Sequence, residues 1–227
     1  MREETIAVLY SVPDVVWGFV DLSRDPVYER LPPEAHRFCV QMALEIGSAA
    51  AFSEKDTFSG DARAWAEGLG MRIVEIHEGV TVQGAYAFPA GAELDLGLRA
   101  VILHGDHIEA LTELLNRAGL NVQPETVAGW HVMHEGFHFL ESSRLGWTFD
   151  RLARLDAGES FRLPARIRVR RTSEIAAHRF VKDLAGLSFL PCLLDWLWAY
   201  RHEPLALVRK VVAAWQTEKT LPITPPS

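Results

Sequence analysis

The sequence predicts an α+β fold in which helices precede and follow a small sheet. The first observation is a pair of proline-initiated apolar segments in the first third of the chain, which is typical of helices. The second is a change to strand-like alternation that begins at Arg72. The third is the return of helical patterns from Pro124 onward. At 227 residues, with 48% apolar and 23% charged residues, the chain has the size and composition of one substantial globular domain.

Three helices are predicted before the sheet. Prolines favour helix starts, so we expect one helix over 13–22 and a second over 32–52. A polar break at 53–60 follows, and Ser59 is predicted to cap a third helix that stops close to Gly70.

The middle of the chain predicts strands and one further helix. Segment 72–77 alternates apolar and polar residues, a turn follows it, and 80–88 continues with strand-type residues. A short apolar run within 99–104 predicts a buried strand. Asp106 and Glu109 have the spacing of a capping box, which predicts a helix beginning there and ending at Gly119.

The last part of the chain predicts mostly helices. One is expected over 124–144, another is capped by Thr172 or Ser173, and two short ones lie within 192–215. The basic segment 166–171 alternates arginines with apolar residues, so we interpret it as a strand with a solvated outer face.

Charge and cysteine content exclude several classes of function. A formal charge of −7 argues against a nucleic-acid partner. Cys39 and Cys192 are far apart in apolar surroundings, which predicts buried free thiols rather than a disulfide or a thiolate metal site. Neither a signal peptide nor a membrane span is recognisable, so a cytoplasmic location and no membrane partner are expected.

The predicted helix at 124–144 contains one complete His-Glu-x-x-His motif, formed by His134, Glu135 and His138. On a helix the two histidines lie one turn apart on the same face, where they can bind one metal ion. Glu135 then lies beside that ion, as a general base for a bound water should. The alternative is that both are ordinary core or surface histidines.

A zinc site requires a third protein ligand, and two glutamates compete for that role. Glu141 lies seven residues beyond His134, roughly 10 Å along a helix axis, so one straight helix does not bring both to a single ion. Glu174 belongs to a separate predicted helix, which can cross the first and place its carboxylate against both histidines. We therefore favour Glu174 and expect Glu141 to be either an acceptor for a histidine N–H or a solvated residue.

Two segments resemble a known family. Segment 174–181, Glu-Ile-Ala-Ala-His-Arg-Phe-Val, is similar to the Glu-x-x-Ala-Asn-x-Phe-Ala element that follows the His-Glu-x-x-His helix in ImmA/IrrE-type metallopeptidases. Segment 63–74 resembles the leading helix and first strand of that family. The similarity covers roughly residues 60–190. Members of the family have a minimal zincin-like fold, and some of them relieve repression by cleaving transcriptional regulators.

The resemblance implies a fold and a site. The fold would be a small sheet packed on the motif helix, with extra N- and C-terminal helices. The implied zinc ligands are His134, His138 and Glu174, and the implied general base is Glu135. The chain departs from the family at two positions: Gly136 directly follows Glu135 instead of preceding the second histidine, and His178 replaces the asparagine.

His178 lies one helical turn beyond Glu174 and is a candidate catalytic residue. It could help to hold the metal or stabilise an oxyanion, and a hydrogen-bonded structural histidine is the alternative. His104 and His107 flank a predicted turn and are expected to be solvated. His131 is expected either to contact a metal ligand or to be exposed, and Tyr86 is expected to be a core residue.

We expect a single domain over 1–227, divided into a helical extension (1–55), a metallopeptidase-like core (56–190) and C-terminal helices with a tail (191–227). The predicted function is that of a Zn²⁺-dependent peptidase of the gluzincin type, and regulatory cleavage of a protein partner is the role that the family resemblance implies. A peptide or protein substrate would pair with an edge strand within 80–88.

The alternative function is a non-catalytic zincin-like module that binds metal and acts through protein–protein interaction. A di-iron carboxylate bundle is rejected because it needs a second Glu-x-x-His, and the sequence has none.

Overall fold

The structure is a computed structural model that describes residues 9–77, 91–153 and 167–220. It confirms a mixed α+β fold. The described elements are α1 (Asp14–Leu22), α2 (Pro33–Glu54), α3 (Ala62–Gly68), β1 (Arg72–Ile76), β2 (Ala92–Asp95), β3 (Ala100–His104), α4 (Gly105–Arg117), α5 (Pro124–Leu140), α6 (Thr148–Leu152), α7 (Arg171–Ala185), α8 (Cys192–Ala199) and α9 (Pro204–Thr220).

The helices before the sheet form where their local sequence predicts them, with one correction. Pro33 occupies the first turn of α2, where its missing N–H removes nothing from the helix. The cap of α3 is Asp61, and the prediction of Ser59 was wrong. The Asp61 carboxylate accepts hydrogen bonds from the backbone N–H groups of Arg63 and Ala64, at 2.9 and 3.1 Å.

Within the described residues, three strands form one sheet in the order β1-β3-β2. β3 lies in the centre, parallel to β1 and antiparallel to β2. Ala100, Val101 and Leu103 of β3 are buried, as the apolar run predicts. The predicted strand at 80–88, and Tyr86 within it, lie outside the described residues, as does the tail 221–227.

The capping box at the start of α4 is not formed. The helix begins at Gly105, and its first residues receive no capping hydrogen bond from a side chain. Asp106 instead contacts His77 at the end of β1, with 3.0 Å between its Oδ1 and the imidazole Nδ1. The predicted end of the helix is confirmed, since Gly119 follows it with a φ of +89° that favours glycine.

The basic segment is not a strand in its described part, 167–171. Residues 167–169 are irregular, and Arg171 is already the first residue of α7. The start of this helix is fixed by a distant residue, because the Asp25 carboxylate accepts the Arg171 backbone N–H at 2.9 Å. Such an acceptor satisfies a backbone donor that the first turn of a helix leaves unpaired.

Thr172 and Ser173 do not cap α7, contrary to the prediction. Both are already inside the helix. The Thr172 hydroxyl donates to the Val169 carbonyl at 2.6 Å, and the Ser173 hydroxyl donates to a carboxylate oxygen of Glu141 at 2.9 Å. Ser173 therefore connects α7 to the end of the motif helix.

The motif helix α5 packs between the sheet and α7. It contacts β2 and β3, and also α3, α4 and α7, while α2 packs against α7 along its length. The regular α-helix ends at Leu140, earlier than predicted, and continues as one π-helical turn, Glu141–Leu145. Buried residues from the segments 1–55, 56–190 and 191–227 belong to one hydrophobic cluster, and the boundaries between these segments remain predictions.

Two remaining expectations concern the thiols and the membrane. Cys39 and Cys192 are both free and buried, as predicted. Across the described residues, the helices all fall short of the length and apolar character that a membrane span requires.

The packing of α2 on α7 gives a stability prediction. A Cβ atom at Gly47 would lie well inside van der Waals contact of the Ala176 backbone carbonyl oxygen, whereas a Cβ at Gly68 would meet nothing within 4 Å. We expect Gly47→Ala to lower the free energy of unfolding by about 1–3 kcal/mol, because two packed helices must move apart. The matched control Gly68→Ala should raise it by up to about 1 kcal/mol. Urea denaturation measures both, and equal effects would contradict the close α2–α7 contact.

Candidate metal centre

Three of the predicted site residues converge on one point. His134 and His138 project from adjacent turns of α5, and Glu174 projects from the first turn of α7. The two histidine Nε2 atoms are 3.2 Å apart. The Glu174 carboxylate oxygens lie 3.3 Å from the His134 Nε2 and 3.6 Å from the His138 Nε2. In the part of the chain that the structure describes, this is the one group of three such residues close enough to share a metal ion.

These distances fit a zinc ion. Zinc binds imidazole nitrogen and carboxylate oxygen at about 2.0–2.2 Å in tetrahedral geometry, which separates neighbouring ligand atoms by about 3.3–3.6 Å. The 3.2 Å between the two nitrogens is close to such a separation, and so are the 3.3 Å from the His134 nitrogen to the Glu174 Oε2 and the 3.6 Å from the His138 nitrogen to the Glu174 Oε1. Two nitrogens and one oxygen also form the ligand set that zinc enzymes use to leave a fourth position for water.

The surroundings of His138 favour positive charge. Burial alone would lower the pKa of this imidazole, but the hydrogen bond to Glu141 and the charges of Glu174 and Glu135 outweigh burial and raise the pKa to about 9. Burial would likewise raise the pKa of the Glu174 carboxyl, yet the neighbouring His134, His138 and Arg171 hold it well below its usual value. A site that binds a proton this strongly attracts a metal cation for the same electrostatic reason.

Glu141 orients His138 instead of completing the metal ligands. Its Oε2 lies 2.9 Å from the His138 Nδ1, and its Oε1 accepts hydrogen bonds from the Thr148 N–H at 2.7 Å and the Ser173 hydroxyl at 2.9 Å. Glu141 is only 2% exposed, which agrees with its expected role as an acceptor for a histidine N–H and not with a solvated residue. With Nδ1–H directed at Glu141, the His138 Nε2 faces the Glu174 side of the site, where a metal ion would take the place of its second proton.

Glu135 borders the cavity beside the histidines, as expected of a general base. Burial raises the pKa of its carboxyl, while the charges of His134 and His138 oppose that rise. A raised pKa brings a carboxylate closer to the range in which it can both accept and return a proton near neutral pH.

His178 lies next to the three convergent residues but does not join them. Its ring centroid is 4.7 Å from that of His134, and the side chain is 5% exposed. Among the described residues, its Nδ1 has no hydrogen-bond partner. This atom therefore does not support the alternative that His178 is a hydrogen-bonded structural histidine. Burial, reinforced by the nearby His134, lowers the pKa well below the usual value, which keeps this imidazole neutral.

Three further histidines had an expected role: His104, His107 and His131. His131 borders the cavity, and burial lowers its pKa to about 3. His104 lies at the end of β3 with its Nε2 3.4 Å from a carboxylate oxygen of Glu93. His107 is 6% exposed and packs edge-on against Trp198, so the expectation that it is solvated was wrong.

A cavity of about 190 Å³ opens between these side chains, and three of its charged residues were missed from the sequence. Arg24 borders it from the turn after α1, Arg171 from the start of α7, and Asp195 from α8. Only Asp195 had a recognisable signal, because it is the sole charged residue between Asp183 and Arg201.

Comparisons with family models, curated proteins and solved structures give no match for this chain.

The convergence of α5 and α7 predicts how zinc binding responds to loss of Glu174. Glu174→Ala removes one of three ligand atoms, so we expect zinc affinity to fall by more than the roughly 10–100-fold that loss of an outer-shell contact costs. Glu125→Ala, at the exposed start of α5, should keep one zinc per chain. Elemental analysis after dialysis against a weak chelator measures the difference, and full zinc occupancy in Glu174→Ala would refute the assignment.

The contacts of Glu141 predict that its substitution weakens zinc binding without removing a ligand, unlike the substitution of Glu174. Glu141→Gln keeps the size of the side chain but directs an amide at His138, so the imidazole loses its charged acceptor and its fixed tautomer. We expect zinc affinity to fall about 10–100-fold while saturating zinc still reaches one ion per chain. Competition with a chromophoric chelator measures this affinity. A loss of stoichiometry would instead indicate that Glu141 is itself a ligand.

Proposed function

We propose that this chain is a zinc-dependent peptidase of the gluzincin type with a zincin-like fold, related to the ImmA/IrrE-type metallopeptidases. The observation that carries the proposal is the convergence of His134, His138 and Glu174 from two helices at separations that suit one zinc ion. Glu135 borders the same cavity, one residue beyond His134, as a general base should. The likeness of segment 174–181 to the downstream family element agrees with this geometry.

The proposed chemistry assigns one task to each residue around the cavity. A bound Zn²⁺ would lower the pKa of a water molecule towards about 7 and polarise the substrate carbonyl. Glu135 accepts the proton of the attacking water and returns it to the departing amine. His178, held neutral by burial, donates an N–H hydrogen bond to the oxygen on which negative charge develops.

The sheet offers a place for an extended substrate. β2 is an outer strand of the described sheet, it packs on the motif helix, and Gly91 and Ala92 at its start border the cavity. A peptide that adds to a strand edge is held by main-chain hydrogen bonds, which fix its direction while its side chains vary. We therefore place a peptide or protein substrate along this edge, with its scissile carbonyl towards Glu135. Cleavage of a regulatory protein partner is the biological role that the family resemblance suggests.

The second function, a non-catalytic metal-binding module, differs in its ligand count. Structural zinc sites are closed by four protein ligands, whereas catalytic sites keep one position for water. Among the described residues, three ligands meet at this centre and a cavity adjoins them. This arrangement favours the peptidase over the module.

The role of Glu135 gives the test of the proposed function. Glu135→Gln retains the size of the side chain but cannot accept a proton, so we expect peptide hydrolysis to fall by at least about 10²-fold while one zinc per chain is retained. A library of unstructured peptides, read by mass spectrometry with the zinc-loaded protein, measures the activity. His178→Gln in the same assay should lower kcat and leave the zinc content unchanged.

Glu125→Gln is the matched control, because Glu125 is an exposed glutamate on the same helix. It should hydrolyse the library as the wild-type protein does. Full activity in the zinc-loaded Glu135→Gln protein would exclude the proposed mechanism. A wild-type protein that binds zinc but cleaves no peptide would favour the non-catalytic module.

A further inference from the structure

Asp195 places a carboxylate in an otherwise apolar helix. The other residues of α8, Cys192–Ala199, are all apolar, and most of them are buried in the core. Asp195 borders the cavity that also contains His134 and Glu174. Since α8 packs on α1, α4 and α9, it provides a part of the cavity wall separate from the two helices of the metal centre.

The Asp195 carboxylate is not neutralised by an ion pair. Among the described residues, no side chain forms a hydrogen bond or salt bridge with it, although two arginines border the same cavity. Asp21 lies between those arginines, 3.3 Å from Arg24 and 3.9 Å from Arg171, and Arg171 also approaches Glu174 at 3.9 Å. Burial raises the pKa of Asp195 to about 6, as expected of a carboxylate that has left water without gaining a partner.

A desolvated carboxylate without a partner costs free energy that a bound cation recovers. At neutral pH, Asp195 would carry most of its negative charge and would face the space where a substrate side chain or terminus lies. The cavity volume of about 190 Å³ is below the roughly 300–1,000 Å³ of typical small-molecule pockets. It is suited to one side chain or one terminal residue.

We propose that Asp195 determines substrate specificity by binding a primary ammonium group of the substrate, supplied either by a lysine side chain or by the peptide N-terminus. This inference rests on the proposed peptidase function for its biological meaning, but the cation site exists independently of hydrolysis. A hydrogen bond to a charged group contributes about 1.5–3 kcal/mol, which corresponds to a discrimination of about 10- to 150-fold between a cation and its neutral analogue.

A binding experiment tests the cation site without catalysis. Zinc-loaded wild-type protein is titrated by calorimetry with n-butylamine, which is protonated at pH 7, and with 1-butanol as its neutral analogue. We expect butylammonium to bind at least 10-fold more tightly than butanol, and Asp195→Asn to remove that difference. Asp56→Asn, at an exposed aspartate outside the cavity, removes the same charge and should bind as the wild type does.

Three results would overturn the proposal. Equal binding of butylammonium and butanol to the wild type excludes a cation site. Retained binding of butylammonium by Asp195→Asn would mean that another carboxylate of the cavity holds the ammonium group. Loss of zinc from Asp195→Asn would make Asp195 part of the metal centre instead.

A hydrolysis experiment then identifies the source of the ammonium group. Peptides that contain lysine or norleucine are prepared with a free or an acetylated N-terminus. A lysine preference that disappears in Asp195→Asn assigns the side chain, and a dependence on the free N-terminus that disappears in this variant assigns the terminus. Unchanged preferences in the variant overturn the inference. Binding of butylammonium without hydrolysis of any peptide would refute the peptidase function and leave the cation site intact.

Discussion

The geometry of the metal centre depends above all on the buried carboxylate of Glu141. One of its oxygens contacts His138 on α5, and the other accepts hydrogen bonds from the first residue of α6, Thr148, and from Ser173 on α7. Ser173 immediately precedes Glu174, so the same carboxylate positions His138 and the backbone that carries Glu174, two of the three candidate ligands. A buried charge is costly unless it is hydrogen-bonded, so the three hydrogen bonds hold the Glu141 carboxylate in one orientation. Glu141 can reach all three helices because α5 widens into a π-helical turn at this residue.

The N-terminal segment completes this arrangement from the other side of α7. The Asp25 carboxylate accepts the Arg171 backbone N–H, which fixes the first residue of the helix three positions before Glu174. Farther along, α2 and α7 approach so closely that Gly47 leaves no space for a side chain beside the Ala176 carbonyl. The segment predicted as an extension thus supports the helix that carries Glu174, the third candidate ligand, and its removal would disturb the site as well as the core.

Sequence patterns correctly predicted the features that depend on residues close together in the chain. Helical spacing alone places His134 and His138 on one face, and a proline at its first position is enough to start α2. Predictions failed where a residue has a partner distant in the sequence. Asp106 has the spacing of a cap, yet His77 takes its carboxylate, and the arginines at 166–171 alternate as a strand would, yet Asp25 starts a helix among them. The assignment of Asp195 to the cavity required the packing of α8, which no local pattern contains.

The charges around the two histidines explain why this centre suits a divalent cation and not only a proton. Glu135, Glu141 and Glu174 all act on His138, and together they raise its pKa to about 9 in the absence of metal. Asp195 adds a fourth carboxylate to the cavity wall, while Asp21 engages the nearby arginines. In the proposed site, a zinc ion would bring two positive charges to the point where His134, His138 and Glu174 converge, and Asp195 would remain available to a substrate. The concentration of carboxylates around the cavity is thus the electrostatic counterpart of the convergence of α5 and α7.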